Sequence, residues 1–277
     1  MVQASPTIVA QLTDPHIPPP GRLLAGRIDT PRMLAAAVSH VRALEPLPDL
    51  VVVSGDLTDT GHPEEYLHLA ELLEPLDLSL VLLPGNHDDP TALAEVFGRP
   101  EGAADAAIGW QQVVEVGPLR VVTLDTRVPG EPGGRLGPDR LAWLEEALGR
   151  SSAPTIVALH HPPFASGIQH MDGMALADAD ALGEVIERHR HVVRLITGHL
   201  HRNITLGWRG TVVTTCPSTA HQVALDLTGG PARWRREPPA VHLHVWLPHT
   251  ATLVTHTSPI GDHGPAEPFT WTADSPT

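Results

Sequence analysis

Short apolar runs recur along the chain: TIVAQL at 7–12, LVVVS at 50–54, SLVLL at 79–83, RVVTL at 120–124, TIVAL at 155–159, VVRLI at 192–196, TVVTT at 211–215, VHLHVW at 241–246 and TLVTH at 252–256. Runs of this length, rich in β-branched residues and bounded by Gly, Pro or Asp, read as buried strands. Between the earlier ones the apolar positions recur with helical spacing. PRMLAAAVSHVRALE places Met33, Leu34, Ala37, Val41 and Leu44 on one face, with Thr30 as N-cap and Pro31 at the first helical position. PEEYLHLAELLEPL, DPTALAEVFG, GPDRLAWLEEALGR and DADALGEVIERHR repeat that grammar. Strands alternating with helices predict a layered α/β domain whose sheets are covered by helices, and the strand-rich last third predicts mixed sheets.

The 277 residues, 42% of them apolar, suffice for one substantial core. A single domain over 1–257 is expected. The segment 228–240 reads as a surface loop, and 258–277 as a Pro/Gly-rich tail that is extended or lies at an oligomer interface. A net charge of −14, with every one of the 18 basic residues an Arg, argues against a broad grip on nucleic acid or on an anionic membrane. Cys216 is the one cysteine, which excludes an internal disulfide or a thiolate metal cluster and points to a reducing compartment. With no basic leader and no apolar run of membrane-spanning length, a cytoplasmic protein is expected.

Chemistry collects where the strands stop. TDPH brings Asp14 and His16, GDLTD brings Asp56, GNHDD brings Asn86 and His87, HHPP brings His160 and His161, and TGHLH brings His199 and His201. Strand ends in α/β sheets converge on a common crevice, so these residues can meet despite their separation in the chain. A lone His is more often solvated or hydrogen-bonded than a ligand, and His189, His191, His242, His244 and His249 are read that way. Carboxylate, amide and imidazole donors without thiolate suit Mn, Fe, Zn or Co, and seven of them exceed the needs of one tetrahedral ion. Two ions bridged by a carboxylate accommodate the set.

The ordered motifs DPH, GDLTD, GNHDD, HHPP and GHLH, spanning residues 14 to 201, resemble the calcineurin-like metallophosphoesterase superfamily. That resemblance implies a four-layer α-β-β-α sandwich of two mixed β-sheets flanked by helices. It further implies that Asp14, His16 and His201 hold one metal, that Asn86, His160 and His199 hold the second, and that Asp56 bridges them. His160 is assigned over His161 because the family's ligand directly follows the strand, two residues before Pro. His87 is implied as the catalytic group that protonates the leaving oxygen, a role imidazole suits. Asp59, Asp88 and Asp89 read as turn, cap or supporting residues, with Asp89-Pro90 opening a helix.

The motifs GDLTDTG and GNHDD depart from the protein Ser/Thr phosphatase branch. The LDT stretch at 124–126 and CPSTAHQ at 216–222 resemble class III cyclic nucleotide phosphodiesterases, some of whose relatives cleave glycerophosphodiesters. The implied activity is hydrolysis of a small phosphodiester, a 3′,5′-cyclic nucleotide such as cyclic AMP first among candidates, by a hydroxide that two metal ions activate. Nucleotide pyrophosphates, phosphomonoesters and a non-catalytic scaffold are the alternatives, the last disfavoured because every ligand and His87 are present. Asn86, His87, His161 and His221 are candidate substrate contacts, though His221 reads equally well as a strand-edge residue. The loop IPPPGRLLAGRID is a candidate cover, with Arg22 or Arg27 near phosphate. A homodimer or higher homo-oligomer built on the C-terminal strands is also consistent with the resemblance.

Overall fold

The computed structural model describes residues 5–100, 104–105 and 108–267. β1 (Thr7–Leu12), β2 (Leu50–Ser54) and β3 (Leu80–Leu83) run parallel and are joined by α1 (Thr30–Arg42) and α2 (Pro63–Leu73). The chain later returns to this sheet with β12 (Ala240–Leu247) and β13 (Thr252–Pro259), both antiparallel to their neighbours, giving the order β13-β12-β1-β2-β3. The second sheet has the order β4-β5-β6-β7-β9-β8. Its parallel centre is β5 (Leu119–Leu124), β6 (Thr155–Leu159) and β7 (Val192–Thr197), linked by α4 (Gly137–Gly149) and α6 (Ala179–Arg188). β9 (Thr211–Thr215) lies parallel to β7, and β4 (Gln112–Val116) and β8 (Ile204–Trp208) close the edges antiparallel.

Alternation along each strand builds the layers. In β1 and β2, Val9, Leu50 and Val52 face the other sheet, where they meet Val121, Ile156, Ala158 and Ile196. Their neighbours Ala10, Leu12, Val51 and Val53 face Leu34 and Val41 of α1 and Tyr66 and Leu69 of α2. Val157 and Leu159 of β6 turn likewise toward Leu144 and Leu148 of α4 and Val185 and Ile186 of α6. Both faces of the central strands are covered, so they read as continuous apolar runs rather than alternating ones. The result is the expected four-layer α-β-β-α arrangement with mixed sheets.

Several local expectations need correction. β4 and β8 carry too much polar and exposed surface to register as apolar runs, because each is an edge strand with one solvent-facing side. α1 is capped by Asp29, whose carboxylate accepts from Arg32 N at 3.1 Å, one residue earlier than expected. Thr30 instead donates its hydroxyl to the carbonyl of His16 at 2.9 Å, tying the helix start to the first polar loop. The expected surface loop contains β11 (Trp234–Arg235), which pairs with β10 (Gln222–Val223) as a two-stranded ribbon. A short helix α5 (Gln169–Asp172) also lies outside the predicted set. β13 runs two residues into the expected tail, and Ile260 after it is buried. Tail residues 268–277 lie outside the described residues.

Candidate active site

The loops after β1 and β2 continue side by side beyond the strands: Asp14 N donates to Gly55 O, His16 N to Asp56 O and Ile17 N to Leu57 O, at 3.0 to 3.1 Å. Holding two carboxylates inward from adjacent strand ends demands unusual backbone. Asp14, His16, Asp56, His199 and His201 all have φ between 44° and 65°, a region that side chains other than Gly occupy at a cost of about 1–3 kcal/mol each. Five of the nine non-Gly residues with positive φ among the described residues thus fall at this site. Two glycines admit the close approach: a Cβ on Gly55 would run into the His160 imidazole, and one on Gly85 into the backbone and carboxylate of Asp56.

Asp14 and Asp56 are buried, and their ion-pair partners among the described residues are imidazoles. His201 Nε2 lies 3.3 Å from Asp14 Oδ1, His16 Nε2 lies 3.6 Å from Asp56 Oδ2, and His160 Nε2 lies 3.4 Å from Asp56 Oδ1. One ligand atom from each of Asp14, His16, Asp56 and His201 falls within 4.8 Å of every other. Beside this group the His160 and His199 rings stand 5.2 Å apart. Asn86 Oδ1, His199 Nε2 and His160 Nε2 are buried with no hydrogen-bond partner, the last with carboxylate oxygens of Asp56 and Asp14 at 3.4 and 4.0 Å. Among the described residues these carboxylates and lone pairs meet no guanidinium, and the backbone N–H groups of His199 and His87 reach only Asp14 and Asp56, so the set fits metal cations that satisfy the remaining lone pairs.

Backbone carbonyls set the imidazole orientation. His160 Nδ1–H donates to Ser54 O at 2.9 Å and His201 Nδ1–H to His221 O at 2.8 Å, so it is Nε2 of each ring that faces inward and that exposes a lone pair once the ring gives up its second proton. Asp14 is braced by the Thr13 hydroxyl at 2.7 Å and by the His199 backbone N–H at 3.1 Å. Burial pushes the His16 and His199 imidazoles well down. Burial also acts on His160, but the Asp56 carboxylate outweighs it and raises that ring to about 9. Asp56 is held far below the usual carboxylate range, its own burial overcome by His160. The pocket is thus built to keep negative charge matched by positive charge.

His161 differs from its neighbour. Its Nε2–H donates to Pro132 O at 3.1 Å and its Nδ1 accepts from the Thr126 hydroxyl at 2.7 Å, leaving no free lone pair. Three clustered imidazoles, His160, His161 and His199, therefore offer two donors rather than three. The contact also gives the LDT stretch a role, since Thr126 fixes the ring beside His160.

His87 is 40% exposed at its side chain, the most open of the group. Its Nδ1–H donates to Asp59 O at 2.6 Å, its backbone N–H donates to Asp56 Oδ1 at 3.0 Å, and its Nε2 stands 4.0 Å from Asp56 Oδ2. Asp88, next in the chain, is buried and accepts from Gly85 N, Leu57 N, Thr58 N, the Thr58 hydroxyl and the Tyr66 hydroxyl at 2.8 to 3.1 Å. It clamps the GDLTD and GNHDD loops together. Asp89 caps α3 (Pro90–Phe97) as expected.

A cavity of about 390 Å³ opens over His16, Asp56, Asn86, His87, His199 and His201. His221 lines it, its ring 4.7 Å from that of His201, while Leu24, Ala25 and Ile28 bring in the expected covering loop. Neither Arg22 nor Arg27 is among the lining residues; Arg27 lines a neighbouring cavity with Arg32 and Arg236. Arg233 supplies the guanidinium at the site cavity instead, and nothing in its loop-like sequence context signalled that.

A two-sheet sandwich with paired His/Asp clusters at its strand ends defines a metallophosphoesterase. Residues 8–203 match the family described as calcineurin-like phosphoesterase, and the chain belongs to that family of hydrolases. A probable glycerophosphodiester phosphodiesterase of Arcobacter nitrofigilis is 36% identical over 265 residues, covering 95% of this chain and 96% of that protein. A cAMP/cGMP dual specificity phosphodiesterase of Mycobacterium tuberculosis is 33% identical over 92% of this chain and 80% of its own length. The solved structure of a dimetal phosphatase from Danio rerio shares the fold, with a TM-score of 0.65 at 14% identity over 92% of this chain and 100% of that one. Among the described residues no helix is long and apolar enough to cross a membrane.

Proposed function

We propose that the chain hydrolyses a small phosphodiester, a 3′,5′-cyclic nucleotide such as cyclic AMP first among them, to a phosphomonoester with the help of two metal ions. The observation that carries this reading is the convergence of seven N and O donors from five loops, three of them buried without a protein hydrogen bond, beneath a cavity of small-molecule size. Asp14, His16 and His201 would hold one ion, Asn86, His160 and His199 the other, and Asp56 both. The donor set, with oxygen and imidazole nitrogen but no sulfur, suits Fe, Mn, Zn or Co. Such cations supply Lewis acidity toward phosphoryl oxygens and make water nucleophilic near neutral pH.

The protein's own contribution is orientation and one proton. Ser54 O and His221 O fix the tautomers of His160 and His201 through their Nδ1–H groups. Because the Nδ1–H of His87 is committed to Asp59 O, the proton that His87 can give up is the one on Nε2, which faces the cavity. That proton passes to the leaving alkoxide oxygen as its bond to phosphorus breaks. His221 walls the cavity and is free to meet substrate, whereas His161, locked by Thr126 and Pro132, is buried and not among the lining residues, so it supports the site from behind rather than touching substrate as expected.

The names carried by the Mycobacterium relative and by a 3′,5′-cyclic adenosine monophosphate phosphodiesterase of Escherichia coli, 31% identical over 77% of this chain, support the cyclic nucleotide. Glycerophosphodiesters are the second reading, favoured by the Arcobacter relative. Net charge of −14 speaks against an extended nucleic acid, and a single buried Cys216 fits a cytoplasmic enzyme. The deciding experiment assays metal-free chain, with Mn, Fe, Zn or Co added back, on cyclic AMP, glycerophosphodiesters, dinucleoside polyphosphates and p-nitrophenyl phosphate. Cyclic AMP as the substrate of highest kcat/KM is expected; a preference for monoesters overturns the reading.

A further inference from the structure

We infer that the β10–β11 ribbon is a platform for a planar heterocycle, with Trp234 as the residue that holds the base of a nucleotide. The inference rests on reading the site as that of a phosphodiesterase and commits it to substrates that carry a base. Trp234 is 38% exposed and lines the same cavity as His16 and His201, although the chain spends only 4% of its residues on aromatics. An indole face left open to water inside a concave site is poised to bury apolar area when a ring covers it.

The geometry leads outward from the site. The ring of His221 lies 4.7 Å from that of His201, and the indole lies 6.0 Å beyond at 81° to the His221 plane. A phosphate at His201 with a planar group one sugar away reaches this indole. Val223, the cross-strand partner of Trp234, lines the cavity too, together with Leu24, Met171 and Met174. Thioethers and aliphatic groups pack well against aromatic rings and adapt to their outline. A glycerol substituent presents no such face.

The ribbon is held for this task. Ala224 N donates to Arg233 O at 2.9 Å, extending the pairing of Gln222–Val223 with Trp234–Arg235. Arg233 is tied to Asp226 at 2.6 Å, and the same carboxylate accepts from Thr228 N at 2.9 Å. The one guanidinium among the described lining residues is therefore already matched, which favours an uncharged base over a second phosphate at this end.

The test uses the full chain reconstituted with Mn(II), as wild type, Trp234→Ala and Trp234→Phe. Calorimetric affinity is measured for adenosine 5′-monophosphate and for ribose 5-phosphate, and kcat/KM for cyclic AMP and for glycerophosphoethanolamine. In Trp234→Ala the preference for adenosine 5′-monophosphate over ribose 5-phosphate should fall roughly ten-fold or more, the scale of base stacking on an aromatic side chain. The loss on cyclic AMP should sit in KM rather than kcat, and Trp234→Phe should recover most of it. Equal losses on both ligands, no loss, or no binding of adenosine 5′-monophosphate overturn the platform. A chain that keeps the Trp234-dependent preference yet leaves cyclic AMP uncleaved overturns the proposed function and supports the platform; cleavage of cyclic AMP with selectivity indifferent to Trp234 does the reverse.

Discussion

His16 and His201 turn their Nε2 atoms toward each other across 3.2 Å, although 185 positions separate them in the chain. The Nδ1–H of His201 is committed to His221 O, so one proton at most lies between the two Nε2 atoms, beside the Asp56 and Asp14 carboxylates. A cation shared by these groups relieves that arrangement. Metal added to chelated protein should therefore raise the thermal midpoint, by about 2.7 kcal/mol of stability at 100 times the dissociation constant. Asp56→Ala, which removes the carboxylate common to both groups, should bind fewer than two ions per chain by elemental analysis and lose hydrolysis. Two retained ions would refute the assignment of Asp56.

His87 is the exposed member of the set, anchored through its backbone N–H and Nδ1, with Nε2 4.0 Å from Asp56 Oδ2. His87→Ala should leave metal content as it is and lower kcat by roughly 10² to 10⁴, the range of general-acid assistance. Full activity of that variant takes His87 out of the reaction.

The adjacent pair His160 and His161 should separate cleanly. His160→Ala removes an inward Nε2 and should cost a bound ion, read by elemental analysis. His161→Ala breaks the contacts to Thr126 and Pro132, so it should keep its ions but lose about 1–3 kcal/mol in urea unfolding of the metal-loaded chain. The opposite pattern of metal loss would move the ligand to His161.

Acid should loosen the first sheet. His242 in β12 is buried, neither ring nitrogen has a hydrogen-bond partner, and burial together with the Arg194 charge brings it down to about 4. The fold holds this ring neutral while the unfolded chain protonates it below about pH 6.5, so the unfolded state binds more protons in that window. Stability is fully present above pH 6.5 and is lost as pH falls toward 4. Between pH 7 and 5 this single group accounts for about 2 kcal/mol. Urea unfolding of wild type and His242→Leu at both pH values checks it: the variant should show a shallower loss, and parallel curves would acquit His242.

The metal-binding candidates were legible because each follows a strand directly, where the apolar run stops and the pattern has no reason to supply Asp, Asn and His. Asp88 was not legible as a clamp, since its donors Leu57 and Thr58 lie some thirty positions earlier and meet it only through the parallel register of β2 and β3. Thr126 became meaningful only once β5 and β6 were paired and His161 stood beside it. Trp234 sits in a segment of Arg, Glu and Pro whose polarity reads as loop, and its place at the cavity depends on a two-residue pairing too short to leave a period. The edge strands β4 and β8 escaped for a related reason: half their surface meets water, so their apolar signal is diluted.

β1 lies in the middle of its sheet, hydrogen-bonded on one side to β2 and on the other to β12, near the far end of the chain. During synthesis the ribosome releases β1 first and β12 more than two hundred residues later, a delay on the order of tens of seconds at about 5–20 residues per second. Through that interval the nascent chain carries an open edge beside the strand that delivers Asp14 and His16. Such an edge invites pairing with other polypeptides until its own partner emerges. The sheet that carries Asp14 and His16 thus closes only after β12 has been made, and a holdase chaperone would find its edge exposed before then.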